Sequence, residues 1–388
     1  MTKNDDKRVP ALRFKGFNDD WAQHKLGDIA QRKNKTSDCS KLPNVSYEDI
    51  SPNIGTLNKS VNKLSTGKKG ILFKKDDVLF GKLRPYLNNY LFAGFTGIAI
   101  GDFWVLNHKE APQFLFYLIQ SPKFRYISNI SSGSKMPRSD WNLVSNYKFN
   151  VPAVFEQTNI GKTLKLIDTL ITLQQRKAQQ LKLLKKAMLQ DIFPNTQGIR
   201  QIKLSNNIWV EKRIVDIFKE KNIRSKNGEL LSVSISKGIY PFSNSERKNN
   251  SSIDKSNYKK VTPGDIAYNS MRMWQGALGV SKYNGIVSPA YTVMATKEKE
   301  NPLFYYYYFK NTRMMFNFRQ HSQGLTSDTW NLKFPLLKKI AIQIPINKNE
   351  EEKIIKLFES IDIAITSIEL KIEKLKAVKQ FLLQNMFI

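Results

Sequence analysis

The side chains best placed to do chemistry in this sequence are cations, amides and hydroxyls on loops. One group gathers in Phe80-Gly-Lys-Leu-Arg-Pro85 and Ser132-Gly-Ser-Lys-Met-Pro-Arg138, which supply Lys82, Arg84, Lys135, Arg138 and Ser139. A second holds Asn269, Ser270, Arg272, Gln275, Gln323, Thr326 and Ser327. Lys and Arg neutralise phosphates, while Arg, Asn, Gln, Ser and Thr hydrogen-bond base edges, so the chemistry on offer is nucleic-acid recognition. Arg84 and Arg272 occupy equivalent places, which favours a shared phosphate or structural role. Lys82 against Ser270, and Pro85 against Met273, differ between the groups and are where two different half-sites would be read.

Bond-breaking chemistry is not suggested. There is no P-loop, no G-x-G-x-x-G opening a helix and no H-E-x-x-H. There is also no Asn-Pro-Pro or Asp-Pro-Pro run of the kind amino-methyltransferases use, and no nuclease-like Pro-Asp with a trailing carboxylate–x–Lys. His24, His108 and His321 are scattered, and the single Cys39 excludes a disulfide framework and a thiolate zinc site. We expect no catalytic residue, metal site or cofactor in this chain. No apolar run is long enough to span a membrane, and the N-terminus is unlike a signal peptide, so the expected location is cytoplasmic.

Charge supports the same direction. Among 388 residues, 62 Lys and Arg stand against 33 Asp and Glu, a formal charge of +29. Residues 51–150 hold 14 basic and 5 acidic side chains and residues 201–350 hold 24 and 11, whereas residues 351–388 hold 6 of each. A uniform codon bias toward Lys would not leave the last segment neutral. Such an excess finds its counterpart in nucleic acid, where neutralised phosphates release counterions.

The elements that position these loops come in duplicate. Lys25-Leu26-Gly27-Asp28-Ile29 pairs with Arg213-Ile214-Val215-Asp216-Ile217 at an offset of 188. The same offset relates Trp21 to Trp209, Asp77 to Asp265, Arg84 to Arg272 and Gly97 to Gly285. Trp141-Asn142-Leu143 matches Trp330-Asn331-Leu332 at 189, and Glu156 and Asp168 match Glu350 and Asp362 at 194. Each copy begins with short apolar runs broken by Gly, Pro, Asn and Ser. Val78–Phe80 and Ile266–Tyr268 read as strands entered from turns. Pro112 and Pro302 open helices expected over 112–120 and 302–318. The aromatic run Phe304–Phe309 reads as core in preference to a base-stacking platform.

Each copy then continues into a long helix. Ile160, Leu164, Ile167, Ile171, Gln174, Ala178, Leu181, Lys185, Met188 and Ile192 follow the alternating spacing of a heptad seam, and residues 354–386 repeat it, with Lys379 at the seam position equivalent to Lys185. At those two lysines, either the helices diverge or the stems reach out to solvent. Asn349 followed by Glu352 is expected to cap the second helix. At 1.5 Å per residue, each helix of roughly 35 residues spans about 50 Å. The first also carries a second apolar row, Leu166, Leu170, Leu173 and Leu184, which needs cover from the chain's own domains or from a partner.

Asp77-Val-Leu-Phe-Gly-Lys-Leu-Arg-Pro-Tyr86, Ser132-Gly-Ser through Leu143, and Val151-Pro-Ala-Val-Phe-Glu-Gln157 resemble the specificity subunit of type I restriction–modification enzymes. Gly264-Asp-Ile, Ser327–Leu332 and Ile344 through Glu350 to Asp362 carry the likeness in the second copy. It covers about residues 10–388. The resemblance implies an α+β architecture: two similar globular α/β target recognition domains joined by two long antiparallel coiled-coil helices, a pseudo-two-fold internal repeat. The expected division is a mobile tail over 1–13, recognition domains over 14–150 and 198–343, and spacer helices over 151–197 and 344–388. Double-stranded DNA with a bipartite asymmetric site would be the ligand, its half-site centres about 10–15 bp apart if the domains sit about 35–50 Å apart. Two modification subunits would supply adenine methylation with S-adenosylmethionine, and restriction subunits ATP- and Mg-dependent translocation and cleavage. In this copy-by-copy match Glu156-Gln157 becomes Glu350-Glu351, which puts in doubt an identical contact to two modification subunits. The alternatives are a stand-alone sequence-specific or architectural DNA-binding protein and, from another class, an enzyme acting alone on nucleic acid.

Overall fold

The structure, a computed structural model, describes residues 9–130, 136–194, 198–245, 248, 251–297 and 300–388. The chain divides into two compact units, one of residues 1–176 with 369–388 and the other of residues 177–368. Two helices of 38 residues each, Val154–Asp191 and Lys348–Asn385, contribute to both. The division therefore falls within the helices, not at their ends.

In the first unit, Ala22–Lys25 pairs antiparallel with Lys148–Val151, closing the globular part where it meets the first long helix. A four-stranded sheet runs in the order Gln31–Lys33, Phe103–Asn107, Val78–Gly81, Tyr90–Phe92, and a second runs Thr36–Ser37, Gly70–Phe73, Gly97–Ala99, Asn44–Val45. The core joins Trp21, Phe80 and Trp104 to Phe114 and Tyr117 of the short helix Pro112–Leu118, and to Ile160, Leu164, Leu383, Met386 and Phe387 of the two long helices. Phe114 and Phe387 stack with centroids 5.4 Å apart. Within this unit the long helices run antiparallel, since the start of one meets the end of the other.

The second unit repeats the plan. Trp209–Arg213 pairs with Ala341–Pro345, and the sheet Phe218–Glu220, Tyr291–Thr296, Ile266–Asn269, Leu278–Val280 keeps the strand order of its counterpart. Its core unites Phe304, Tyr305, Tyr307 and Tyr308 with Leu189, Ile192 and Phe193 of one long helix and Ile354, Phe358 and Ile361 of the other. The aromatic run is thus core, as its composition suggests.

Several local expectations are corrected. The helix expected over 302–318 is two helices, Pro302–Phe309 and Thr312–Gln320, because the Asn311 side chain accepts the Arg313 N–H and starts a new one. The second long helix is capped by Asn347, whose Oδ1 accepts the Asn349 N–H at 3.0 Å, and not by Asn349 itself. Residues 1–8 of the expected tail lie outside the described residues. Its end is held: the Leu12 N–H donates to the Asn385 carbonyl, and Arg13 grips Glu156 through two hydrogen bonds of 2.8 Å.

Candidate nucleic-acid interface

Each unit is braced by a buried ion pair at the entry of its central strand. Asp77 is fully buried and receives Lys33 Nζ at 2.6 Å, Asn107 Nδ2 at 2.9 Å and the Lys74 N–H at 2.7 Å. Asp265 receives Lys221 Nζ at 2.5 Å and the Thr262 N–H and hydroxyl. A turn that spends its carboxylate this way delivers Val78–Gly81 and Ile266–Asn269 in a set direction, and those strands end at the cationic loops.

In the first unit that loop carries Arg84, exposed and in the left-handed region at φ 50. For a non-glycine residue such backbone is strained, and the N–H of Arg84 donating to the Pro137 carbonyl at 2.8 Å holds it. Lys82 and Arg138 both face Asp102, at 3.4 and 3.1 Å, with Arg138 half exposed. Ser139 faces inward: it is buried, and its hydroxyl donates to the Ser128 carbonyl at 2.5 Å, so it anchors the loop instead of reaching outward. Lys135 lies outside the described residues.

In the second unit Arg272 is exposed and Gln275 partly so, and the Arg272 guanidinium donates to Gln275 Oε1 at 3.4 Å. Asn269 Oδ1 accepts the Met271 N–H and shapes the turn. Ser270 is buried, its hydroxyl 2.8 Å from that of Thr292, which removes it from any surface contact. Gln323, Thr326 and Ser327 lie exposed on a neighbouring loop, whose base is tied to this turn by the Leu332 N–H donating to the Ser270 carbonyl. Of the candidates, Arg84 and Arg138 in one unit and Arg272, Gln323, Thr326 and Ser327 in the other point to solvent.

Tryptophans and arginines outside the candidate set support these loops. Trp104 and Trp141 meet edge to face at 5.1 Å in one unit, as do Trp274 and Trp330 in the other. Arg32 lies over Trp141, and Arg319 over Trp330 at 4.8 Å. Lys33 and Lys221 stand at the 188 offset and were findable from the repeat alone.

The long helices hold a second repeated device. Lys379 Nζ lies 2.8 Å from Asp168, which also accepts the Tyr117 hydroxyl at 2.8 Å, and the ammonium sits over the Tyr117 ring. In the other unit Lys185 pairs with Asp362 at 2.5 Å, Asp362 accepts the Tyr307 hydroxyl at 3.0 Å, and the ammonium sits over the Tyr307 ring. Burial and the adjacent carboxylate raise both tyrosine pKa values, so both are donors. The lysines thus neither mark a divergence nor turn to solvent: each is matched by an aspartate on the facing helix. Glu156 and Glu350 are likewise internal, gripped by Arg13 and Arg200, and Gln157 and Glu351 are buried beside them. Their difference between copies therefore says nothing about a partner contact. The leucine row is exposed: Leu166 at 59%, Leu170 at 38% and Leu173 at 54% in the first unit, Leu184 at 50% in the second.

Among the described residues, no group of His, Cys, Asp and Glu could hold a metal ion, and no helix is long and apolar enough to cross a membrane. Comparison with known proteins follows the repeat. The family model for the type I restriction modification DNA specificity domain matches twice, over residues 18–183 and 206–377. The chain is 24% identical over 195 residues to the type I restriction enzyme HindI specificity subunit of Haemophilus influenzae, and 31% identical over 129 residues to the MjaVIII specificity subunit of Methanocaldococcus jannaschii. These alignments span 47% and 31% of this chain, and 42% and 30% of those relatives. In fold it is similar to the type I restriction–modification S subunit of M. genitalium, with TM-score 0.60 at 13% identity over 98% of this chain and 99% of that one. A chain from a type I restriction–modification complex gives TM-score 0.54 at 16% identity, over 94% and 96%. With two matched copies filling most of its length, the chain belongs to the family of type I restriction–modification DNA specificity domains.

Proposed function

We propose that this chain is the non-catalytic DNA-reading subunit of a type I restriction–modification complex, each recognition domain reading one half of a bipartite asymmetric site. The observation that carries this reading is the pair of similar but nonidentical loops. Both units present an exposed arginine at an equivalent place, Arg84 and Arg272, on the same strand-end scaffold, while the side chains around them differ. Equivalent arginines suit the phosphate backbone, which is the same in both halves. Differing neighbours, Arg138 against Gln323, Thr326 and Ser327, suit different bases.

In this proposal the long helices set the spacing between the half-sites. The exposed Leu166, Leu170 and Leu173, at i, i+4 and i+7, form one strip on which an apolar helix of a modification subunit would dock, and the exposed Leu184 of the second unit is a further partner contact. Two modification subunits would bring adenine methylation with S-adenosylmethionine, and restriction subunits ATP- and Mg-dependent cleavage, in the cytoplasm. Exchanging residues 14–150 for another recognition domain tests the reading: the methylated site should change in one half only. A change in both halves would sink it. A stand-alone DNA-binding protein would fail to co-purify with a modification subunit at one to two.

A further inference from the structure

Both units carry an exposed aliphatic side chain at the same place in the repeat. Leu325 is 100% exposed and Met136 52% exposed. They are separated by 189 residues, the spacing that also relates Trp141 to Trp330. An isolated exposed leucine needs no explanation, but the same exception in two diverged copies does.

The Leu325 loop is closed at its base, and Met136 is fastened through the residues that follow it. Gln323 and Asn331 exchange backbone hydrogen bonds of 3.0 and 2.7 Å across the base of the Leu325 loop. Inside it, the Thr326 N–H donates to Thr329 Oγ1 at 3.1 Å and the Thr329 N–H to the Thr326 carbonyl at 3.0 Å. Gly324 adopts φ +131, and a Cβ there would stand 2.6 Å from the Thr329 carbonyl, so only glycine closes this loop. In the first unit the Pro137 carbonyl, next to Met136, holds the Arg84 N–H, and the Ser139 N–H donates to the Lys82 carbonyl at 2.9 Å. Each tip is thus fastened beside the turn that carries the exposed arginine of its unit.

We propose that Leu325 and Met136 are apolar base contacts, one per domain, pressing on bases within a DNA groove in their respective half-sites. This rests on the DNA-reading function proposed above. A protein-docking patch gathers several apolar side chains. Here the exposed apolar side chains are interspersed with cations and polar groups: Met136, Tyr86 and Leu87 with Arg84 and Arg138 in one unit, and Leu325 and Met271 with Gln323, Thr326, Ser327 and Arg272 in the other. That arrangement fits a groove: phosphates at its edge for the arginines, base edges for the amide and hydroxyls, and an apolar feature such as the thymine methyl for the tip.

The test uses the affinity-tagged full chain, recovered with the subunits it binds in its source cell, and a pool of random-sequence duplex DNA. The wild-type complex should enrich a two-part site. Leu325→Ser should relax or change base preference in one half and weaken binding to the wild-type site about tenfold, while Leu325→Met keeps it. Met136→Ser should act on the other half. Both side chains are exposed, so thermal melts should be unchanged. Enrichment of the wild-type site at full affinity by both serine variants would overturn the inference and leave the DNA-reading function standing. Equal weakening on random duplex would also overturn it. A wild-type complex that enriches no sequence would overturn both.

Discussion

Replacing Lys379 with Met removes one ammonium and keeps most of the side-chain volume. Among the described residues, its partner Asp168 would then retain the Tyr117 hydroxyl, at 2.8 Å. The two charged side chains are 13% and 22% exposed, so the pair is neither fully buried nor on the surface. Breaking a fully buried pair costs about 3–5 kcal/mol, and an exposed one less than about 1. Asp168 also lines a cavity of about 650 Å³ formed with Tyr90, Phe116 and Arg125, through which water reaches the carboxylate. The expected loss is therefore about 1–3 kcal/mol. At about 2–4 °C per kcal/mol this is a drop of several degrees in the thermal midpoint of the full chain, followed by circular dichroism. Adding Asp168→Asn removes the orphaned charge while leaving an acceptor for Tyr117. The double variant should recover at least half of the loss. A single variant as stable as wild type, or a double variant that loses the sum of both single effects, would refute the view that this pair holds the helices in register.

Leu170→Asp alters an exposed position and should change stability by no more than about 0.5 kcal/mol, yet it should abolish co-purification with a modification subunit; retained co-purification would remove the leucine strip from the interface. Lys310 is half-buried, donates to the Ile235 and Gly276 carbonyls, and has its pKa lowered to about 8 by desolvation and then by Lys185, against the opposing pull of Asp362. Between about pH 8 and the ordinary lysine value of 10.5 the unfolded chain holds more protons, so this group makes stability rise with pH. Melts across that range should show Lys310→Met lacking that rise; identical slopes would exclude the effect.

The duplicated plan, the heptad seam and the strand entries at Asp77 and Asp265 were legible because they depend on local spacing and on comparing one half of the chain with the other. Buried seam residues such as Ile160, Leu164, Ile354 and Phe358 match that spacing. The role of Lys185 and Lys379 was not legible. An isolated helix does not state which residue of an antiparallel partner lies opposite, and Asp362 and Asp168 become partners only once the register exists. The break at Asn311 was missed because the aromatic run continues a helical pattern, whereas a side-chain cap ends it.

Within the recognition loops the division is sharper. Residue types alone determined that these loops offer cations, amides and hydroxyls, and that the chain carries two nonidentical sets of them at a net charge of +29. Only tertiary structure decided which of them face water. Ser139 and Ser270 look outward by composition but are consumed by Ser128 and Thr292, whereas Arg84, Arg272 and Leu325 are left exposed. The physical reason is that a polar side chain takes whatever partner the fold brings within about 3 Å, and those partners come from elsewhere in the chain.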